Sequence, residues 1–113
     1  MSLNIKEKYG LLINNEWVPA SDGAEFAVYN PANGDQLAIC AEATQADVDK
    51  AVEVATEAFK TWKHVSQVDR ADYLLKIADA IDAHKEHLAQ VETYDNGKPI
   101  RETLNVDIPL GAD

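Results

Sequence analysis

The residues of this chain that could do chemistry are one cysteine, three histidines and a surplus of carboxylates. A cysteine nucleophile works as its thiolate, and needs a base, a cation or a helix N-terminus beside it. Cys40 lies between Ile39 and Ala41 in an alternating stretch with no basic neighbour in sequence. It therefore reads as a small apolar strand residue. His84 and His87 are spaced i, i+3 and share one helix face. Zinc takes three or four ligands with supporting contacts, whereas Lys85 and Glu86 mark a solvated face. His64 falls in a helix–helix connection with no partner visible in the sequence. Asp47 with Asp49, and Glu53 with Glu57, read as solvated acidic faces rather than an acid/base pair. Gly10, Gly23, Gly34, Gly97 and Gly111 never fall into the spacing of a dinucleotide loop or a P-loop. Asn96-Gly97-Lys98-Pro99 contains a lysine but follows a helix C-terminus, the negative end, so it reads as a helix-to-helix corner.

Composition excludes whole classes of function. The 113 residues carry 20 acidic and 10 basic side chains, a formal charge of −10. Phosphate backbones and anionic lipid surfaces both require a basic face, so neither nucleic acid nor membrane is an expected partner. A single cysteine points to a reducing compartment, and the expected location is cytoplasmic. Leu11-Leu12-Ile13, the apolar run near the start, is far too short to span a bilayer.

The elements that would position these groups divide the chain in two. Residues 1–10 are expected to be a flexible N-terminus or a cloning remnant, residues 11–43 a β-hairpin and strand region, and residues 44–113 helical. Asn14-Asn15-Glu16 between Leu11-Leu12-Ile13 and Trp17-Val18 predicts a tight hairpin, because asparagine tolerates positive φ. Pro19 to Gly23 and Asn30 to Asp35 are turn clusters. Glu25 to Tyr29 alternates, Phe26 and Val28 against Ala27 and Tyr29; Gln36 to Glu42 alternates likewise, with Ala38 and Cys40 facing a covering layer. Thr44 with Asp47 predicts a helix start, followed by the apolar stripe Val48, Ala51, Val52, Ala55, Phe59 and Trp62. A second helix starts near Ser66 and carries Ala71, Leu74, Leu75, Ala78 and Ile81. A third runs from about Lys85 to Asn96 and ends on Gly97 in the left-handed conformation. Pro99 suits the first turn of the next helix, and Asp107 can cap yet another with Pro109 in its first turn. The sequence thus looks cut where a helix is starting.

Taken together, these segments resemble the NAD(P)-dependent aldehyde dehydrogenases. Ile13-Asn14-Asn15-Glu16-Trp17-Val18 is similar to the family's opening hairpin, and Asn30-Pro31-Ala32-Asn33-Gly34-Asp35 to its following turn. Asp47-Val48-Asp49-Lys50-Ala51-Val52 through Ala58-Phe59 and Trp62 resembles its first helix; Arg70-Ala71, Leu74 and Ile77-Ala78-Asp79 resemble its second. Glu92-Thr93 with Asp95 to Thr103 is the sharpest match, and Asp107-Ile108-Pro109 continues it. The last stretch looks most like the bacterial acetaldehyde-oxidising branch.

The resemblance implies an α/β parent, of which this chain is the N-terminal part of the coenzyme-binding domain: short antiparallel β-hairpins followed by three to four helices. It implies oxidation of a small-molecule aldehyde to a carboxylic acid with NAD or NADP. In that chemistry a cysteine thiolate attacks the carbonyl and a glutamate activates water to hydrolyse the thioester. Those groups are expected downstream of Asp113. The chain alone is expected to be a non-catalytic scaffold that holds neither coenzyme nor catalytic residue. Its partners would be the rest of its own polypeptide and further copies, as a dimer or tetramer. Some family members hold a monovalent cation, and the matching positions are the Val28 carbonyl and Asp107; capping explains Asp107 equally well. A second function fits the same stripes: a free-standing small acidic α/β domain that binds a protein partner and does no chemistry.

Overall fold

A computed structural model describes residues 3–113. Met1 and Ser2, part of the expected N-terminal remnant, lie outside the described residues. The element order is β1 (Lys8–Tyr9), β2 (Leu11–Ile13), β3 (Glu16–Val18), β4 (Glu25–Tyr29), β5 (Gln36–Ala41), α1 (Gln45–Trp62), α2 (Gln67–Ala83) and α3 (Lys85–Asn96). A final helical run follows: α4 (Ile100–Glu102), a π-helical segment (Thr103–Asp107) and α5 (Ile108–Ala112). The expected hairpins-then-helices order is therefore present. The chain forms two compact units, one of residues Lys6–Val28 and Ala38–Val65, the other of Tyr29–Leu37 and Ser66–Asp113 with residues 3–5.

In the first unit, β2 and β3 pair antiparallel in the register Leu11↔Val18, Leu12↔Trp17, Ile13↔Glu16. The loop is only Asn14 and Asn15, both left-handed at φ 54° and 61°. Positive φ at both central positions is what a two-residue turn needs to match strand twist, and asparagine adopts it at low cost. Within the stretch expected to be loose, Lys8 and Tyr9 pair parallel with Ile39 and Cys40 of β5. Between β1 and β2 stands Gly10, where a Cβ would lie 2.7 Å from the Val18 carbonyl oxygen. Two backbones meet there, and only glycine leaves room.

Helix α1 begins as its sequence dictates. Thr44 accepts from the Asp47 amide, and the Asp47 carboxylate accepts from the Thr44 amide at 2.9 Å, a complete capping box. The same carboxylate reaches beyond the helix to accept from the Ser21 amide at 3.1 Å, and the Ser21 and Thr44 hydroxyls share a hydrogen bond of 2.8 Å. One aspartate thus ties the Pro19–Gly23 turn to the helix start. These backbone amides, Thr44 first and then Ser21, hold the Asp47 carboxyl below the usual carboxylate range.

In the second unit the Asn30–Asp35 turn closes on itself. The Asn30 amide donates to the Asp35 carbonyl and the Gly34 amide to the Asn30 carbonyl, both at 2.8 Å. Ser66 caps α2 by accepting from the Asp69 amide at 3.1 Å. Helix α3 follows after the single residue His84 and ends on Gly97 at φ 81°, whose amide donates to the Thr93 carbonyl at 2.9 Å. Helix α3 buries Ala89 completely and packs on the π segment, while α2 packs on α5.

The chain end differs from expectation in two places. Pro99 is not in the first helical turn; it precedes the helix in an extended conformation, ψ 135°. Asp107 caps nothing, because its backbone is helical and its side chain makes no cap bond. Helix runs unbroken from Ile100 to Ala112, and a wide π turn sits just ahead of Pro109. The physical reason is proline itself. Its ring lacks an N–H and collides with the carbonyl four residues back. Widening the preceding turn makes space for the ring without ending the helix.

The stripes are largely bare. Phe59 is 57% exposed, Trp62 41%, Leu74 68% and Leu75 64%. The alternation of β4 does not create a dry face either, since Phe26 and Tyr29 are both exposed. Among hydrophobic side chains of the described residues, only the small Ala20, Ala38 and Ala89 are buried.

Candidate functional site

Each chemically capable residue can now be placed. Cys40 is a free, half-buried cysteine in mid-strand, its backbone opposite Tyr9. Ala38, on the same face of β5, is buried, and Leu37, Ile39 and Ala41 on the other face are half-buried, so both faces of this strand are covered in part, as the alternation suggested. His84 and His87 are exposed at the α2–α3 junction, where with Asp82 and Glu86 they line an open groove of about 540 Å³. The His84 ring is engaged locally, its Nδ1 lying 2.8 Å from the Ala80 carbonyl. Among the described residues no three histidine, cysteine or carboxylate side chains gather in a metal-binding group. His64 is exposed in the α1–α2 connection.

The most organised polar cluster lies between α3 and the final helical run. The Lys98 ammonium donates to the Asp107 carboxylate, bridging the Gly97–Pro99 corner to the end of the π segment. That bond, with support from Asp107, Glu92 and Glu102, raises the Lys98 pKa above its ordinary value. One turn deeper, the Thr93 and Thr103 hydroxyls share a hydrogen bond of 2.8 Å, and Thr103 is fully buried. The Thr103 hydroxyl also donates to the Ile100 carbonyl at 3.2 Å, and the Asn105 side-chain Nδ2 donates to the Arg101 carbonyl at 2.9 Å. Side chains thereby fix both edges of the π turn.

Sequence reasoning missed this cluster. Lys98 and Asp107 are nine residues apart and flank a helix corner, so no helical or strand period links them. The available signal was the buried-type pairing of two threonines ten residues apart, which becomes readable only once the corner is known.

Of the two positions expected for a cation, Val28 is half-buried on β4 in the first unit, and Asp107 lies in the second. The Asp107 carboxylate is already neutralised by Lys98, so any cation there competes with a tethered ammonium. The chain's left-handed glycines, Gly23, Gly34 and Gly97, sit in three separate turns, none of them leading from a strand into a helix.

Comparison with known proteins identifies the relatives of this arrangement. A profile of the aldehyde dehydrogenase family matches residues 17–113. An acetaldehyde dehydrogenase of Pseudomonas aeruginosa is 45% identical over 98% of the chain and 22% of its own length. The NAD+ complex of an aldehyde dehydrogenase from Bacillus cereus superposes with a TM-score of 0.91 at 42% identity, over 97% of this chain and 22% of that one. An NAD-dependent aldehyde dehydrogenase from Sinorhizobium meliloti superposes with a TM-score of 0.90 at 34% identity, over 98% and 22% respectively. The chain therefore spans about a fifth of the length of these relatives. Hairpin, capped helices and π-containing terminal run correspond to the N-terminal part of their fold, and the chain belongs to the aldehyde dehydrogenase family.

Proposed function

We propose that these residues serve as a scaffold for an enzyme that oxidises aldehydes to carboxylic acids with NAD or NADP. When bound, NAD or NADP would supply the hydride acceptor. The thiolate that attacks the aldehyde and the glutamate that activates water for thioester hydrolysis lie in polypeptide outside this chain. On this reading the 113 residues alone are inactive and hold no coenzyme, and the whole protein is an oligomeric cytoplasmic enzyme. No helix among the described residues is long and apolar enough to cross a membrane.

One observation carries this reading: the apolar stripes of α1 and α2 are formed but uncovered, with Phe59, Trp62, Leu74 and Leu75 all more than one-third exposed. Uncovered side chains of this size on ordered helices need a further layer of polypeptide. Coverage of only 22% of the relatives supports that layer being the remainder of the same family fold. The test is a calorimetric titration of the chain with NAD, alongside NADH production from acetaldehyde by a family-length protein that carries these residues. Turnover by the long protein and no saturable heat from the short one are expected. Saturable NAD binding by the 113 residues, or a long protein unable to reduce NAD with any aldehyde, overturns the proposal.

A further inference from the structure

The sequence contains two Asn-Gly steps, Asn33-Gly34 and Asn96-Gly97, and the fold treats them differently. In such a step the glycine amide nitrogen, once deprotonated by hydroxide, can attack the asparagine Cγ. A C–N bond forms, the bond to Nδ2 breaks, and ammonia leaves with a proton taken from water. One water then opens the five-membered imide at either carbonyl and returns the proton to the glycine nitrogen. The product is aspartate or its β-linked isomer, and no oxidant or second reactant is needed.

The reaction requires the backbone to swing the glycine nitrogen onto Cγ. At Asn96 the helix opposes this. Asn96 is the last residue of the twelve-residue α3, and the Gly97 amide closes its final turn on Thr93. Its side chain is held twice, accepting from the Lys98 amide at 2.8 Å and donating to Glu92 at 3.3 Å. Space is also short, since a Cβ at Gly97 would meet the Pro31 ring at 3.0 Å. Asn33, by contrast, lies in an irregular turn and not at a helix end; exposure does not separate the two steps, since Asn33-Gly34-Asp35 and Asn96-Gly97-Lys98 are all exposed. At Gly34, φ 78°, a Cβ would meet nothing within 4 Å, so the backbone has room to rotate. The Gly34 amide donates to the carbonyl of buried Asn30 at 2.8 Å, a bond with no helical ladder behind it. The Asp35 amide donates to Asn33 Oδ1 at 3.0 Å, the same bond that the Lys98 amide makes to Asn96, so this contact does not distinguish the two sites. The Asp35 carboxylate holds the departing Nδ2 at 2.8 Å.

We propose that Asn33 is a site of spontaneous imide formation and deamidation in the folded chain, and that Asn96 is protected by its helix. Conversion at Asn33 replaces an amide donor to Asp35 by a second carboxylate, and in the isomerised product lengthens the turn between β4 and β5 by one backbone atom.

Peptide mass mapping of the folded chain, incubated in mildly alkaline buffer, tests this. The peptide bearing Asn33 should gain the amide-to-acid mass increment roughly tenfold faster than the one bearing Asn96, because the helix end must open first. In denaturant the two rates should converge. Equal rates in the folded chain, faster conversion at Asn96, or an Asn33 that stays intact when folded yet converts in denaturant would each overturn the proposal.

Discussion

Replacing Thr103 by valine isolates the bond that fixes the start of the π turn. The side chain is fully buried and valine matches its shape, so packing is preserved and only the hydroxyl is lost. Two hydrogen bonds go with it: the one shared with Thr93 at 2.8 Å and the longer one to the Ile100 carbonyl at 3.2 Å. A neutral hydrogen bond contributes on the order of 1 kcal/mol net, and a partner left unsatisfied adds part of its desolvation cost. Since the Thr93 hydroxyl stays half-buried, Thr103→Val should cost about 1–2 kcal/mol. Thr93→Val should cost about 0.5–1 kcal/mol, because Thr103 keeps its bond to Ile100. Two residues sharing one bond must couple, so the double variant should cost less than the sum by about 0.5–1 kcal/mol. Urea unfolding followed by far-ultraviolet circular dichroism measures all four corners, with m unchanged if the native fold persists. Additive costs, or a Thr103→Val chain as stable as the parent, would refute the assignment of this pair as the clasp between α3 and the final run.

Three other perturbations probe the same structure. Asp47 has a folded pKa below its unfolded value of 3.8, so its contribution is present above that value and is lost as pH falls through the folded pKa. Asp47→Asn should flatten the acid limb of the stability–pH curve measured by thermal melts. Lys98 has a folded pKa above 10.5, so its stabilising contribution is full below that value and disappears as pH rises through the raised one. A Lys98→Met chain should melt earlier than the parent at neutral pH and converge with it in strong alkali. Gly10→Ala would push a methyl to within 2.7 Å of the Val18 carbonyl oxygen, and should destabilise the chain by about 1–3 kcal/mol in denaturant titration.

Local signals were legible in the sequence wherever one side chain decides a backbone conformation. The Thr44 and Ser66 caps, the paired asparagines of the hairpin and the glycine ending α3 all act within four residues, and each is found where its chemistry requires it. The expected aldehyde dehydrogenase relationship was likewise carried by such local segments in order. Illegible were features set by distant or competing contacts. Lys8 and Tyr9 carry no strand period, and become a strand only because β5 offers them a parallel edge. Asp107 reads as a helix cap because Pro109 follows it, yet the helix absorbs the proline by widening into a π turn and frees the carboxylate to meet Lys98. The alternation of β4 is visible in the sequence, but exposure of Phe26 depends on what else lies against it.

The central claim is that the stripes of α1 and α2 are made to be covered by further polypeptide of the same family fold. Hydroxyl-radical footprinting reads this directly, by comparing oxidation of Phe59, Trp62, Leu74 and Leu75 in the 113-residue chain and in a family-length protein carrying it. Strong labelling in the short chain and marked protection in the long one is the predicted result. Equal labelling of these four side chains in both would contradict the account.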